Sequence, residues 1–208
     1  MKVLVYCGLN KGGSFKRMVN SGKFDICYGF EANPELFSEL QESFPQKNVK
    51  LYNFLLSEKD GDEVDFYIQD ANGENNYFAS SVGKVTEEYH DNTTNKITSN
   101  KSYKLKTVNL YNFLKKEGVE HIEFLLTDLE GSDLSVLKTL KPLIDSKKIN
   151  YIQSEVEPDH KPQKYSGLNN KLSGFKKVLG NSYELDWYDS QGVDRDWFSV
   201  DYRWRVTR

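Results

Sequence analysis

Phe124-Leu125-Leu126-Thr127-Asp128-Leu129-Glu130-Gly131-Ser132-Asp133-Leu134-Ser135-Val136-Leu137 is the stretch that decides how this chain folds. An apolar run of strand length ends on two acids, Asp128 and Glu130. After Gly131 the apolar residues return at helical spacing, as Leu134, Leu137, Leu140 and Ile144. A buried strand that passes at once into an amphipathic helix is one half of a repeating α/β unit. Open α/β sheets bind ligands at the carboxyl ends of their strands, so both acids stand where a ligand is expected.

The same alternation extends outward. Strand patterns cover Val3 to Cys7, Asp25 to Phe30, Val49 to Leu55, His121 to Thr127 and Asn150 to Glu155, separated by helical patterns. This predicts a mostly parallel sheet with helices on both faces. Asn33-Pro34-Glu35 is a helix start, with Asn as cap, Pro at the first helical position and Glu at the positive end of the dipole. Leu36, Phe37, Leu40 and Phe44 form that helix's apolar face, and Pro45 closes it. A single domain over 1–208 is expected, with an inserted hairpin and polar loop at about 62–103: Val64, Phe66 and Ile68 alternate as a half-buried strand, and Asn72 to Asn100 is polar. Tyr183 to Tyr188 and Trp197 to Val206 read as an antiparallel C-terminal hairpin around Ser190-Gln191-Gly192.

Composition excludes several classes. No apolar run approaches the roughly 20 residues of a membrane span. With 28 Lys and Arg against 31 Asp and Glu, the net charge is −3, and no basic stripe of the kind a nucleic-acid binder needs is present. Cys7 and Cys27 fall in apolar runs and read as reduced core residues. No export signal is visible, which makes the cytoplasm the expected location and the sequons at Asn92 and Asn100 coincidental.

Two sequence features point to a nucleoside ligand. Gly8-Leu9-Asn10-Lys11-Gly12-Gly13-Ser14 follows the first strand and precedes a helix, so backbone can approach a ligand closely there. It matches neither the G-x-G-x-x-G fingerprint nor a G-K-[ST] phosphate loop. Glu31 ends the second strand, where an acid can accept two hydrogen bonds from a ribose diol.

Six runs then occur in a recognisable order: Gly8-x-Asn10-x-Gly12, Tyr28 to Phe37, Leu56-Ser57-Glu58-Lys59-Asp60-Gly61, Ser80-Ser81-Val82, Lys106 to Leu114, and Asp128-Leu129-Glu130-Gly131. Together they resemble the successive motifs of FkbM-like S-adenosylmethionine-dependent methyltransferases, over residues 3 to 157. The resemblance implies a Rossmann-like class I fold with a seven-stranded sheet of order 3-2-1-4-5-7-6. It also implies O-methylation of hydroxyls on sugars or polyketide-like metabolites. Gly8, Asn10 and Gly12 would wrap the methionine part of the cofactor, and Glu31 with Ala32 beside it would hold the ribose. Leu55, Leu56 and Ser57 would border the adenine, and Asp128 would lie near the sulfonium. The chain departs from the family pattern twice: Tyr6 stands where an Asp is usual and Leu126 where a Lys is usual.

A sulfonium methyl is already activated, so the protein must align an acceptor oxygen and help remove its proton. Catalytic candidates are Asp128, Glu130, Glu155 and His160, the last two from the run after the fifth strand. In one version His160 or Glu130 is the base. In the other, Asp128 with Glu155 or Glu157 holds a divalent cation, Mg or Mn, that chelates a vicinal diol. Trp187, Tyr188, Trp197, Phe198, Tyr202 and Trp204 are rings that suit sugar faces and also suit sheet packing. Asn72 to Asn100 is expected to supply a lid. The expected partner is a small-molecule or glycan acceptor, with a homodimer also considered. The alternatives are methylation of another metabolite hydroxyl and a binding module that keeps the fold without catalysis.

Overall fold

The computed structural model describes residues 1–71, 77–91, 97–194 and 199–207. In chain order the elements are β1 (Val3–Cys7), α1 (Gly13–Asn20), β2 (Ile26–Phe30), α2 (Pro34–Ser43), β3 (Val49–Tyr52), β4 (Leu55–Ser57), β5 (Glu63–Ala71), α3 (Glu87–Asp91) and β6 (Ile97–Asn109). They continue with α4 (Leu110–Lys116), β7 (Ile122–Thr127), α5 (Asp133–Thr139), α6 (Lys141–Asp145), β8 (Ile149–Val156), α7 (Leu172–Leu179), β9 (Tyr183–Tyr188), α8 (Ser190–Asp194) and β10 (Val200–Val206).

Seven strands form the main sheet in the order β3-β2-β1-β7-β8-β10-β9. Counting only these strands, that is the expected 3-2-1-4-5-7-6. The first five along the sheet are parallel, and β10 runs antiparallel to both β8 and β9. Strand alternation splits the core between two faces. Val3, Val5, Cys7, Leu125, Ile152 and Trp204 pack on one side with Leu114, Leu137, Ile144 and Phe175. Leu4, Tyr6 and Cys27 pack on the other with Phe15 of α1 and Leu40 of α2. Cys7 and Cys27 are therefore buried free thiols on opposite faces. Among the described residues, no helix is long and apolar enough to cross a membrane.

Four sequence expectations change on the structure. The run from Val49 to Leu55 is two strands, because the Asn53 amide donates to the Glu31 and Ala32 carbonyls at 2.7 and 3.1 Å and turns the chain out of the main sheet. β4 instead joins β6 and β5 in a three-stranded sheet of order β4-β6-β5. The polar loop is shorter than 72–100, since Ile97–Asn109 is a strand laddered to β5 across a bulge at Ile68/Gln69. Backbone pairing, not apolar alternation, makes that strand; residues 72–76 and 92–96 lie outside the described residues.

The predicted helix through Leu134 and Ile144 breaks at Leu140. Pro142 there lacks an N–H and crowds the preceding turn, so α6 starts afresh. All four of its leucine and isoleucine positions are buried as predicted. The segment around Ser190 is α8 rather than a tight hairpin turn, and Trp197 and Phe198 lie outside the described residues.

Candidate functional site

The carboxyl ends of β1, β2 and β7 meet at Gly8. Its φ is +87°, and a Cβ there would lie 1.9 Å from the Asp128 carbonyl oxygen. Only glycine lets the two strand ends close together, with Gly8 N–H donating to the Phe30 carbonyl and Asp128 N–H to the Cys7 carbonyl, both at 2.9 Å. Asn10 takes a left-handed φ of +49° and donates its N–H to Glu31 Oε2 at 2.7 Å. Glu31 Oε1 accepts from Asn33 N–H at 2.8 Å, so the acid ties the glycine turn to the start of α2. Burial pushes the Glu31 carboxyl up to about 7, against the lowering by these amides.

An open cleft with about 720 Å³ between its walls, part of it open to solvent, runs over these strand ends. Among the residues singled out in the sequence, Gly8, Asn10, Glu31, Ala32, Leu55, Leu56, Asp128 and Glu130 line it. Gly12 and Ser57 do not. Gly12 packs beneath, against Leu40 and Phe44, and Ser57 pairs with Asn109 in the small sheet. The rings of Phe30 and Phe54 stack at 6.3 Å along one wall. Phe66 of the small sheet and, beyond β5, Tyr77, Phe78, Ser80, Ser81 and Val82 close the opposite side, so part of the insertion borders the cleft.

At the far end one carboxylate oxygen from each of Asp128, Glu130 and Glu155 lies within 4.8 Å of the others. Asp128 is exposed to the cleft and the other two are half-buried. Enclosure by protein, then repulsion from Glu155, Glu130 and Asp133, holds the Asp128 carboxyl well above the usual carboxylate range. Burial pushes Glu130 up to about 7, while Lys164 opposes the rise. Lys164 Nζ lies 2.7 Å from Glu130 Oε2, and the Tyr165 hydroxyl donates to the same oxygen. Ser199 donates to Glu155 Oε1. Asp133, raised to about 7 chiefly by burial, accepts from Leu129 N–H at 3.0 Å and from the Asn170 amide at 3.2 Å, fixing the turn that carries both acids.

Two of the sequence-predicted candidates stand apart. Glu157 lies one residue beyond the end of β8, where its N–H is taken by the Asn170 carbonyl at 2.9 Å. Its buried carboxylate faces Lys171 at 3.0 Å and accepts from Lys164 N–H at 3.2 Å. Of the two pairings expected for a cation, Asp128 with Glu155 is brought together and Asp128 with Glu157 is not, and Glu130 joins the first pair. His160 is exposed on the turn after β8 and does not line the cleft. Lys164 and Tyr165 escaped the sequence reading because Gln163-Lys164-Tyr165 lies in a loop without periodicity or motif.

A second groove, with about 1200 Å³ between its walls and likewise partly open to solvent, lies on the α1 side of the sheet, and Asp128 lines both openings. Tyr6, Phe24, Phe124 and Leu126 give it apolar walls, with Arg17, Gln153 and Asp201 as polar groups. The C-terminal rings belong elsewhere. Tyr188, Tyr202, Trp204 and Phe175 stack in sequence at 5.8, 5.8 and 5.7 Å, with Trp204 buried in the core. None of these four lines either opening.

Comparison with solved structures places this fold among methyltransferases. The crystal structure of methyltransferase FkbM from Methylobacillus flagellatus KT superposes with a TM-score of 0.58 at 15% identity, over 97% of this chain and 43% of that one. A putative S-adenosylmethionine-dependent methyltransferase from Listeria monocytogenes gives 0.53 at 6% identity, over 100% and 90%. M. capricolum TrmK, in complex with S-adenosyl-homocysteine, gives 0.51 at 10% identity, over 100% and 63%. The chain thus spans less than two thirds of the length of the FkbM and TrmK structures. No curated protein matches it. The model of the methyltransferase FkbM domain matches residues 7–182, and the chain belongs to that family.

Proposed function

We propose that the chain transfers a methyl group from S-adenosylmethionine to a hydroxyl group of a sugar. The observation behind this reading is that Asp128 lines both the cleft and the second groove. One opening suits a nucleoside cofactor. Gly8 brings backbone to its floor, Glu31 offers carboxylate oxygens at its rim, and Phe30, Phe54 and Leu56 give an apolar wall for a base. The M. capricolum TrmK structure, of similar fold, holds S-adenosyl-homocysteine. When bound, S-adenosylmethionine supplies an electrophilic methyl group.

The chain's own residues supply alignment and a proton acceptor. Asp128, made more basic by its surroundings and its acidic neighbours, takes in its ionised form the proton of the acceptor hydroxyl, while Glu130 and Glu155 receive the acceptor's other hydroxyls. The second groove admits the acceptor. Phe24 and Phe124 offer ring faces, and Gln153, Asp201 and Arg17 offer hydrogen-bonding groups, the mixture a polyol needs. A net charge of −3 disfavours a nucleic acid there. A base is favoured over a cation because Lys164 already brings positive charge to the cluster, and Asp128 takes the place of the expected bases, since His160 does not line the cleft and Glu130 is paired with Lys164.

Calorimetry with S-adenosylmethionine tests the first step, and absence of binding at millimolar cofactor refutes the reading. Transfer of labelled methyl to a panel of sugars, with and without chelator, tests the rest. Transfer that survives the chelator supports Asp128 as base, and transfer that the chelator abolishes overturns that assignment. Binding without transfer to any sugar overturns the acceptor class.

A further inference from the structure

We propose that Lys164 is the positioning cation of the acid cluster, pinning Glu130 so that Asp128, Glu130 and Glu155 keep the spacing an acceptor hydroxyl is aligned against. This rests on the methyl-transfer reading above. Glu130 is a non-glycine residue at φ +49°, a conformation that costs about 1 kcal/mol and persists only when its surroundings hold it. Three groups hold it here: the Ser81 hydroxyl donates to its carbonyl at 2.7 Å, and Lys164 and the Tyr165 hydroxyl donate to one carboxylate oxygen. Ser81 comes from the edge of the small sheet and the other two from the loop after β8, so elements distant in sequence converge on one strained acid.

Among the described residues, Lys164 has in Glu130 the carboxylate with which its ammonium forms an ion pair. Its side chain is 8% exposed, and its ammonium lies 5.9 and 5.1 Å from the ring centroids of Tyr89 and Tyr165. The loop is already anchored at its other end by Lys171 and Glu157, 3.0 Å apart. An ammonium buried beside one member of three close carboxylates fixes that member's position and balances part of their repulsion. Without it, Glu130 swings away and the spacing is lost.

Three variants test this: Lys164→Met, Lys164→Arg, and Lys164→Met combined with Glu130→Gln. Stability is read on the protein alone, cofactor affinity by calorimetry, and kcat and KM separately. Lys164→Met leaves Glu130 unpaired and lowers Tm by roughly 5 to 10 °C. The double variant regains at least half of that. Turnover in both falls roughly 10- to 100-fold in kcat with cofactor Kd within about threefold of wild type, and Lys164→Arg recovers most of the kcat. The proposal is overturned if Lys164→Met keeps wild-type kcat, or if the double variant regains kcat along with Tm, because Lys164 would then serve the fold alone. A wild-type protein that binds no cofactor sinks the functional reading instead. The Tm cycle still decides in that case whether Lys164 and Glu130 are coupled, and additive shifts would overturn the pinning itself.

Discussion

Replacing Gly8 by alanine separates the site's geometry from general stability, because Gly13 in the same turn provides a matched control. Gly8 sits at φ +87°, where an L side chain costs about 1 to 2 kcal/mol. Its new Cβ would meet the Asp128 carbonyl oxygen at 1.9 Å, well inside the 3.0 Å that such contacts essentially never breach. The neighbour is backbone at the end of β7, so no rotamer change relieves the clash, and the ends of β1 and β7 must part by about 1 Å. That loosens the bonds from Gly8 N–H to Phe30 and from Asp128 N–H to Cys7, each worth about 1 kcal/mol. The total is about 3 to 4 kcal/mol, or roughly 6 to 16 °C in Tm for a chain of this size. A Cβ added at Gly13 would meet no atom within 4 Å, and Gly13 opens α1, so Gly13→Ala should be neutral or stabilise by up to about 1 kcal/mol. Urea unfolding of both variants, with a cofactor titration on each, is the assay. Gly8→Ala within about 0.5 kcal/mol of wild type and binding cofactor normally would refute the close approach of the two strand ends, as would an equal loss from Gly13→Ala.

Three further outcomes follow from the same geometry. Glu31→Gln keeps the shape but presents an amide N–H to one of the two backbone donors it now satisfies, and should weaken S-adenosylmethionine binding roughly 10- to 100-fold by calorimetry; an unchanged Kd removes Glu31 from the ribose site. Asp128→Asn should lower kcat at least about 100-fold while cofactor Kd changes only a few-fold, and a mild kcat loss would move the proton acceptor elsewhere. Glu31, Glu130 and Asp133 all have carboxyls raised to about 7 in the fold, so they stabilise it fully below the ordinary carboxylate range and that contribution is lost as pH rises through about 7. Tm of the cofactor-free protein should therefore fall between pH 5 and pH 8, and a rise across that window would contradict the burial of these acids.

The main sheet was legible because each of its strands carries its own apolar run, and the caps repeat on the helices. Asn33 accepts from Glu35 N–H at 3.0 Å, as its place before Pro34 foretold. Strands that owe their existence to pairing were not legible. Thr98 to Ser102 shows no alternation, yet it ladders to β5, because a partner strand supplies what side chains do not. The site divides in the same way. Gly8, Glu31, Asp128 and Glu130 sit at strand ends, where the fold dictates a ligand edge. Lys164 and Tyr165 are placed by the path of the loop after β8, and Glu157 is turned aside by Asn170, both consequences of tertiary packing that no local pattern announces.

The two departures from the family pattern look independent along the chain, as Tyr6 in place of an acid and Leu126 in place of a lysine. In the sheet they are one feature, since Tyr6 and Leu126 are partners across the β1–β7 ladder and both face the α1 side. An acid and a lysine at those two positions would stand as opposite charges side by side, each lowering the cost of burying the other. Losing only one would strand a charge beside a sheet core in which Tyr6 is 5% exposed. Here both positions are filled by apolar packing instead, and the ring of Tyr6 meets Phe15 edge-on at 5.6 Å. Tyr6 and Leu126 together give the floor of the second groove an apolar surface beside Asp128. In the methyl-transfer reading proposed above, that apolar floor bears on which acceptor the groove would take.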